Sequence, residues 1–320
     1  MRKKITLIGA GQIGGTLAHL IALKELGDVM LIDVVKGVPQ GKALDISQSS
    51  SVELFDVKIE GSNNYNALKG SDVVIITAGI PRLPGMSRDD LLATNSKIIS
   101  TVGKAIHKHC PKAFLICITN PLDAMVSILQ SSSKVKNNMC VGMAGILDSS
   151  RMKYFLSKEL KVSIKNIETF VLGGHGDTMV PMQSYTSVSG VPISEIIRKK
   201  MITKKKLENI IKRTKNGGGE INKLLKKGSA FYAPASSAIQ MAESFLKNKK
   251  MMLPCAAYLN GEYGINDIYA GVPIIIGKKG VEKIEVVDLD NKEKSEFMHS
   301  IDAVKKLWET ASKIDPDLAK

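Results

Sequence analysis

The sequence predicts an α/β protein, a doubly wound parallel sheet followed by an α+β unit. Three observations carry this expectation. Short apolar strands alternate with helical patterns over residues 1–145. A glycine-rich turn joins the first strand to the first helix. Past residue 145 the alternation gives way to a different order of elements. Parallel strands cannot be joined by a tight hairpin, so strands alternating with helices imply crossovers and a parallel sheet. The expected units are therefore residues 1–145 and 146–320.

In chain order, Lys4–Ile8 reads as a short apolar strand and Ile13–Leu26 as a helix. Val29–Asp33 is a second strand, followed by a turn at Gly37-Val38-Pro39 and a helix around Gly41–Ser49. Val57–Glu60 is a third strand. Val73–Thr77 is a β-branched run between Asp72 and Gly79, the composition of a strand buried on both faces. Leu91–His109 has helical periodicity, and Phe114–Ile118 is another buried strand ended by Asn120-Pro121. In the second unit Ser149–Leu160 starts a helix, and short strands flank Gly173-Gly174. Lys204–Lys227 is helical in pattern but holds Gly217-Gly218-Gly219. Each glycine costs roughly 1 kcal/mol against alanine inside a helix, so a kink or a very close helix approach is expected there. Met252–Ala257, Val272–Ile276 and Ile284–Val287 read as a small antiparallel sheet, and a helix through Trp308 closes the chain. No internal repeat or low-complexity linker separates the units, which predicts that they pack tightly.

Composition narrows the function. With 44% hydrophobic residues the chain can bury a sizeable core. No stretch approaches the roughly 20 apolar residues of a membrane span, so no membrane partner is expected. The basic start Met1-Arg2-Lys3-Lys4 leads into an apolar run that stops at Gly9-Ala10-Gly11, too soon for a secretory signal. The reading is a cytoplasmic protein. Cys110, Cys117, Cys140 and Cys255 form no C-x-x-C pair and read as free thiols. His107 and His109 would lie about 200° apart on a helix, which makes a poor chelate, so no metal is expected. The net charge of +14 comes mostly from lysines scattered through the second unit. Aromatics make up only 5% of the chain and do not interleave with the lysine runs, which argues against a nucleic-acid surface. A positive field still favours the approach of a small dianion.

Gly9-Ala10-Gly11-Gln12-Ile13-Gly14 is a G-x-G-x-x-G between a strand and a helix. Gly9 allows the tight turn, Gly11 lets a pyrophosphate approach the backbone, and Gly14 lets helix and strand pack closely. The helix N-terminus offers free N–H groups and partial positive charge to phosphates. Asp33 ends the second strand 19 residues beyond Gly14, close to the spacing of the ribose-binding acid in Rossmann units. Its carboxylate would repel a 2′-phosphate, which favours NAD over NADP. Lys36 is the one hint in the other direction.

Two further clusters point to chemistry. In Gly173-Gly174-His175-Gly176-Asp177 a histidine sits between glycines, unlike a packed core histidine. Hydride transfer from an alcohol needs a base for the hydroxyl proton, and imidazole has a suitable pKa. That imidazole needs a carboxylate to fix its tautomer, and several acids in the sequence are candidates. Gly79-Ile80-Pro81-Arg82-Leu83-Pro84-Gly85-Met86-Ser87-Arg88-Asp89 follows a strand carboxyl end, where ligands bind in open α/β sheets. Its two arginines amid prolines and glycines suggest a lid that carries charge over a site.

Together these motifs resemble the malate and lactate dehydrogenase family, and more narrowly its bacterial lactate-dehydrogenase-like malate dehydrogenases. The likeness extends through Ile118-Thr119-Asn120-Pro121, Gly145-Ile146-Leu147-Asp148-Ser149-Ser150-Arg151, Asn216-Gly217-Gly218-Gly219-Glu220 and Gly261-Glu262-Tyr263-Gly264, over nearly the whole chain. It implies His175 as proton acceptor and Asp148 as the paired carboxylate. It implies Arg151 as the two-pronged grip on the substrate C1 carboxylate and Arg88 as the lid residue that polarises the carbonyl. Asn120 matches a contact to both substrate and cofactor, while Asn95, Ile118 and Thr119 match cofactor contacts, beside Gly9, Ala10, Gly11, Gln12, Ile13, Gly14 and Asp33. Arg82 stands where the malate pattern has arginine and the lactate pattern usually has glutamine. Ala230 stands where many lactate enzymes carry threonine. The resemblance therefore implies NAD and the malate–oxaloacetate pair, with lactate or another 2-hydroxy acid as the alternative. It also implies a homo-oligomer, tetramer ahead of dimer. A non-catalytic NAD sensor is the competing class, and the intact His175, Asp148 and arginine set argues against it.

Overall fold

The computed structural model describes residues 2–81 and 85–314. The expected alternation is present as six parallel strands, β1 (Lys4–Ile8), β2 (Asp28–Ile32), β3 (Ile59–Ser62), β4 (Val73–Ile76), β5 (Phe114–Cys117) and β6 (Cys140–Gly142). They lie in the order β3-β2-β1-β4-β5-β6. The helices between them include α1 (Gln12–Leu23), α2 (Val38–Glu53), α3 (Arg88–His109) and α4 (Leu122–Ser133). Strand order reverses between β1 and β4, and the crevice at such a switch point is where ligands bind in these sheets.

The β-branched strands are buried because both faces of the sheet are covered. Side chains alternate across a strand, and the alternation splits the interior into two cores. Ile5, Leu7, Ile75 and Ile116 face α1 and the helix Tyr232–Leu246. Val74, Ile76, Leu115 and Cys117 face α3 and α4. A third cluster, with Met152, Leu156, Leu207 and Ile210, lies between α5 (Gly145–Leu160) and Lys204–Lys215.

The structure departs from expectation in instructive places. The later strands are antiparallel, as expected, but they do not form a sheet of their own. Met251–Asn260 joins the edge of β6 through Ala256 and Gly142, and Asn266–Gly277 and Gly280–Ile284 follow it. The result is one nine-stranded sheet. An uncovered β6 edge would leave backbone groups unpaired, and the hairpin pairs them. The last strand ends at Ile284, where the sequence pattern places its start. The helix after β2 begins at Val38 because Pro39 occupies its first turn, a position that needs no N–H. The glycine run breaks the long helical pattern at Asn216 into Lys204–Lys215 and Gly217–Leu225. All four cysteines are buried and free. No described helix is long and apolar enough to cross a membrane.

Candidate active site

The glycine turn has the geometry its spacing implied. Gly9 has φ +105°, and a side chain there would press on Thr77. A Cβ on Gly14 would collide with the Gly9 carbonyl oxygen. Around Gly11, by contrast, a Cβ would meet nothing within 4 Å. The space in front of the second glycine is open, and Gly11 has no side chain to cap the first turn of α1. Backbone N–H groups of that turn are therefore available to an anion. Asp33 stands against the turn, with Oδ2 accepting from the Ala10 N–H at 2.7 Å and Oδ1 from Val35 at 2.9 Å. Lys42 on α2, which the sequence reading passed over, donates to the Gly11 carbonyl at 2.7 Å. Burial pulls its pKa down, and the nearby Asp33 acts the other way.

Asn95 on α3 is fully buried. Its Oδ1 accepts from the Ile80 N–H at 2.9 Å, and its Nδ2 donates to the Asn120 carbonyl at 2.7 Å. Its amide is thus engaged with the main chain, joining the loops after β4 and β5. Thr119 ties the same loops by donating from Oγ1 to the Ala78 carbonyl at 2.7 Å, and Ile118 is buried behind it. Asn120 is exposed at the mouth of a cavity of about 460 Å³.

That cavity is also lined by His175 and Arg88. His175 lies after the short strand Val171–Leu172, which pairs antiparallel with Val180–Pro181. Its Nδ1 is 2.8 Å from Asp148 Oδ2. Of the candidate carboxylates, the fold therefore pairs Asp148 with the imidazole. Asp148 is only 1% exposed and sits in the first turn of α5. Its other oxygen accepts from Arg151 Nη1 at 2.9 Å, one helical turn on. Both distances are those of charge-assisted hydrogen bonds. Burial works against the imidazolium, but the charge and hydrogen bond of Asp148, aided by Asp123, outweigh it, and the pKa of His175 is raised. An ionised carboxylate only accepts, so the proton at Nδ1 is fixed there and Nε2 is left to exchange a proton with a substrate.

Three features of the site were missed from sequence. A Cβ on Gly217 would lie 2.7 Å from Arg151 Cδ, so the glycine run lets its helix pack directly on the guanidinium stem. Asp123 on α4 accepts the His175 backbone N–H at 2.9 Å. Ser300, on the last helix Asn291–Ile314, accepts from Gly174 N at 2.9 Å. The glycine triplet signals a close approach in the sequence, but not its partner. No short-range signal marked Asp123 or Ser300.

Arg88 is the first residue of α3 rather than part of the preceding loop, because Ser87 and Asp90 form a capping box before it. Its side chain is 82% exposed at the cavity rim, 3.8 Å from Asp177. Arg82 lies outside the described residues, as do Leu83 and Pro84.

The family model for the lactate/malate dehydrogenase NAD binding domain matches residues 3–142, and that for the lactate/malate dehydrogenase alpha/beta C-terminal domain matches residues 146–314. A malate dehydrogenase of Pelagibacter ubique is 64% identical over 319 residues, covering 99% of this chain and all of that protein. Among solved structures, a malate dehydrogenase of Cryptosporidium parvum matches with TM-score 0.96 and 48% identity, covering 98% of this chain and all of that one. A lactate dehydrogenase of Eimeria maxima, with NADH and oxamate, matches with TM-score 0.96 and 49% identity over 99% of this chain and 96% of that one.

Proposed function

The chain belongs to the lactate/malate dehydrogenase family, and from that premise we propose that it transfers a hydride reversibly between malate and NAD, giving oxaloacetate and NADH. The observation that carries the chemistry is Asp148, a buried carboxylate bonded at once to the imidazole of His175 and the guanidinium of Arg151. One buried anion thereby holds both a proton acceptor, which lines the cavity, and a cation suited to a carboxylate.

The open space at Gly11, the uncapped first turn of α1 and Asp33 beside them fit the phosphates and ribose of NAD. Gly9, Ala10, Gly11, Gln12, Ile13 and Gly14 would hold the pyrophosphate, and Asp33 the ribose hydroxyls. Ile118, Thr119 and Asn120 would border the nicotinamide, with Asn95 holding their loop in place. The bound cofactor supplies the hydride acceptor. His175 takes the hydroxyl proton of malate at Nε2, and Asp148 stabilises the resulting imidazolium. Arg151 grips the C1 carboxylate, Asn120 borders the reacting carbon, and Arg88 stabilises developing charge on the substrate oxygen.

The choice of acid is assigned to Arg82. The Eimeria maxima lactate dehydrogenase is as similar in backbone as the Cryptosporidium parvum malate dehydrogenase, so a side chain must discriminate. An arginine at position 82 suits a second carboxylate, and the bacterial relative at 64% identity supports malate. The test is spectrophotometric oxidation of NADH with oxaloacetate or pyruvate. Leaving a desolvated arginine beside a methyl group costs roughly 3–5 kcal/mol, so kcat/KM should favour oxaloacetate by about 10² to 10⁴. A preference for pyruvate overturns the assignment. Residues 1–145 are read as the dinucleotide-binding unit and 146–320 as the substrate unit. Family membership supports a cytoplasmic homo-oligomer, tetramer ahead of dimer, which sedimentation can test.

A further inference from the structure

A second carboxylate stands behind the imidazole. Asp123 lies in the first turn of α4, 5% exposed. Its Oδ2 accepts the backbone N–H of His175 at 2.9 Å. Gly174 makes this approach possible, since a Cβ there would lie 3.3 Å from that oxygen and 2.6 Å from Val304 Cγ2. The other oxygen, Oδ1, is buried without a hydrogen-bond partner, and Asp123 forms part of the wall of the substrate cavity. A buried carboxylate with an unpaired oxygen is costly.

We propose that Asp123 is a positioning residue for proton transfer: it fixes the main chain of His175, and its charge joins that of Asp148 in holding the imidazole as the imidazolium that oxaloacetate requires. This rests on the dehydrogenase reading above. The charged and titratable groups around the pair come from every packed element. Asp148 and Arg151 act on it from α5 and Cys117 from β5, while Arg88 and Asp89 of α3 and Asp177 of its own loop line the adjoining cavity. The last helix contributes only Ser300, Ala303, Val304 and Leu307. Of these groups, Asp148 and Asp123 favour the imidazolium and Arg151 opposes it. Burial raises the Asp123 carboxyl to about 6, with the charge of His175 acting against that rise. The charge of Asp123 adds to that of Asp148 only where Asp123 is ionised.

The test is an NMR titration of the histidine rings in the full-length protein, with the His175 signal assigned by its absence from His175→Asn. Asp123→Asn keeps the size and an acceptor for the His175 N–H but removes the charge. Its His175 midpoint should fall by roughly half a pH unit or more, as expected for loss of a nearby opposite charge. The alkaline limb of kcat/KM for oxaloacetate should move down with it. NADH affinity, read by fluorescence, should not change. An unchanged midpoint overturns the electrostatic role. Asp123→Leu removes the acceptor as well, and should lower kcat by about 10-fold or more through misplacement of the imidazole, with NADH binding kept as evidence of folding. A folded Asp123→Leu protein with unaltered kcat overturns the anchoring role. If it does not fold, the Asn titration still decides. The titration needs no turnover. A shifted midpoint in a protein inactive on oxaloacetate would count against the substrate assignment and leave Asp123 standing.

Discussion

Consider Asp148→Asn, which changes one atom of a side chain that is 1% exposed. The native carboxylate accepts two hydrogen bonds from opposite sides, from His175 Nδ1 at 2.8 Å and Arg151 Nη1 at 2.9 Å. An asparagine has one acceptor and one donor, and either orientation fails. With its oxygen toward His175, its NH2 meets the guanidinium, donor against donor. With its oxygen toward Arg151, its NH2 faces Nδ1 and drives the proton to Nε2, where the base must be free. At least one charge-assisted bond is lost, at about 1.5–3 kcal/mol, and the imidazolium loses its counter-charge. The expected fall in kcat/KM for oxaloacetate is about 10- to 10²-fold, since 1.4 kcal/mol is tenfold.

The pH dependence gives a second reading of the same change. In the native site the His175 pKa is raised: burial lowers it, and the attraction of Asp148 more than compensates. Oxaloacetate needs the protonated ring, so its kcat/KM is highest below that pKa and falls as pH rises through it. Malate needs the neutral ring, so its activity falls as pH drops through the same pKa. Removing the Asp148 charge lowers the pKa, and both limbs should move to lower pH. NADH absorbance measured in both directions across the pH range gives the limbs and the rates together. Wild-type rates with unmoved limbs in Asp148→Asn would refute the pairing as the source of catalysis.

Four further outcomes are expected. Asp33→Ser should narrow the preference for NAD over NADP, read as the ratio of the two kcat/KM values; equal use of both cofactors by the wild type would remove Asp33 from the discrimination. Gly217→Ala should raise KM for oxaloacetate by about 10-fold, because its Cβ would press on Arg151 and small misplacements of binding groups are costly. Its thermal stability should not fall in step, because alanine favours the helix by up to about 1 kcal/mol. Arg82→Gln should lower oxaloacetate activity by about 10² or more and raise pyruvate activity by less; an unchanged ratio of the two would clear Arg82 of the choice. Finally, the folded-state pKa of Asp123 is raised from 3.8 to about 6. Its contribution to stability is therefore present below the unfolded pKa and is lost as pH rises through the folded one. Urea unfolding should show wild type losing about 3 kcal/mol relative to Asp123→Asn between those values, and parallel curves would deny the shift.

Local signals were enough for the strands and the glycine turn of the first half of the molecule. The glycine turn, Asp33 and the buried strands depend on neighbours within a few dozen residues, and the sequence spacing of Gly9, Gly11, Gly14 and Asp33 matches what the fold does with each. The later hairpin was harder. Its strands look the same in sequence whether they form a separate sheet or extend an existing edge. The decision lies in Ala256 meeting Gly142, more than a hundred residues away. Arg88 is the opposite case: its capping box is a local signal, present in Ser87-Arg88-Asp89-Asp90, but the arginines and prolines around it give the segment the composition of a loop. The reading of Arg151 as a substrate grip rests on family likeness alone, and the reason for Gly217 beside it is visible only once two helices meet.

The loop bearing His175 shows why glycines there were the most informative signal and still an incomplete one. Three consecutive N–H groups are accepted by three different elements: Gly173 by the Gly271 carbonyl at 2.8 Å, Gly174 by Ser300 Oγ at 2.9 Å, and His175 by Asp123 Oδ2 at 2.9 Å. A Cβ on Gly173 would lie 2.6 Å from Ser300 Oγ, and one on Gly174 2.6 Å from Val304. The glycines are required because the sheet hairpin, the last helix and α4 all close on the same short stretch of backbone. A loop held in this way, with Asp148 gripping the ring from a fourth element, places an imidazole with the small tolerance that proton transfer demands. The sequence states the requirement for space at residues 173 and 174. The partners that use that space are supplied by residues that only the folded chain brings together.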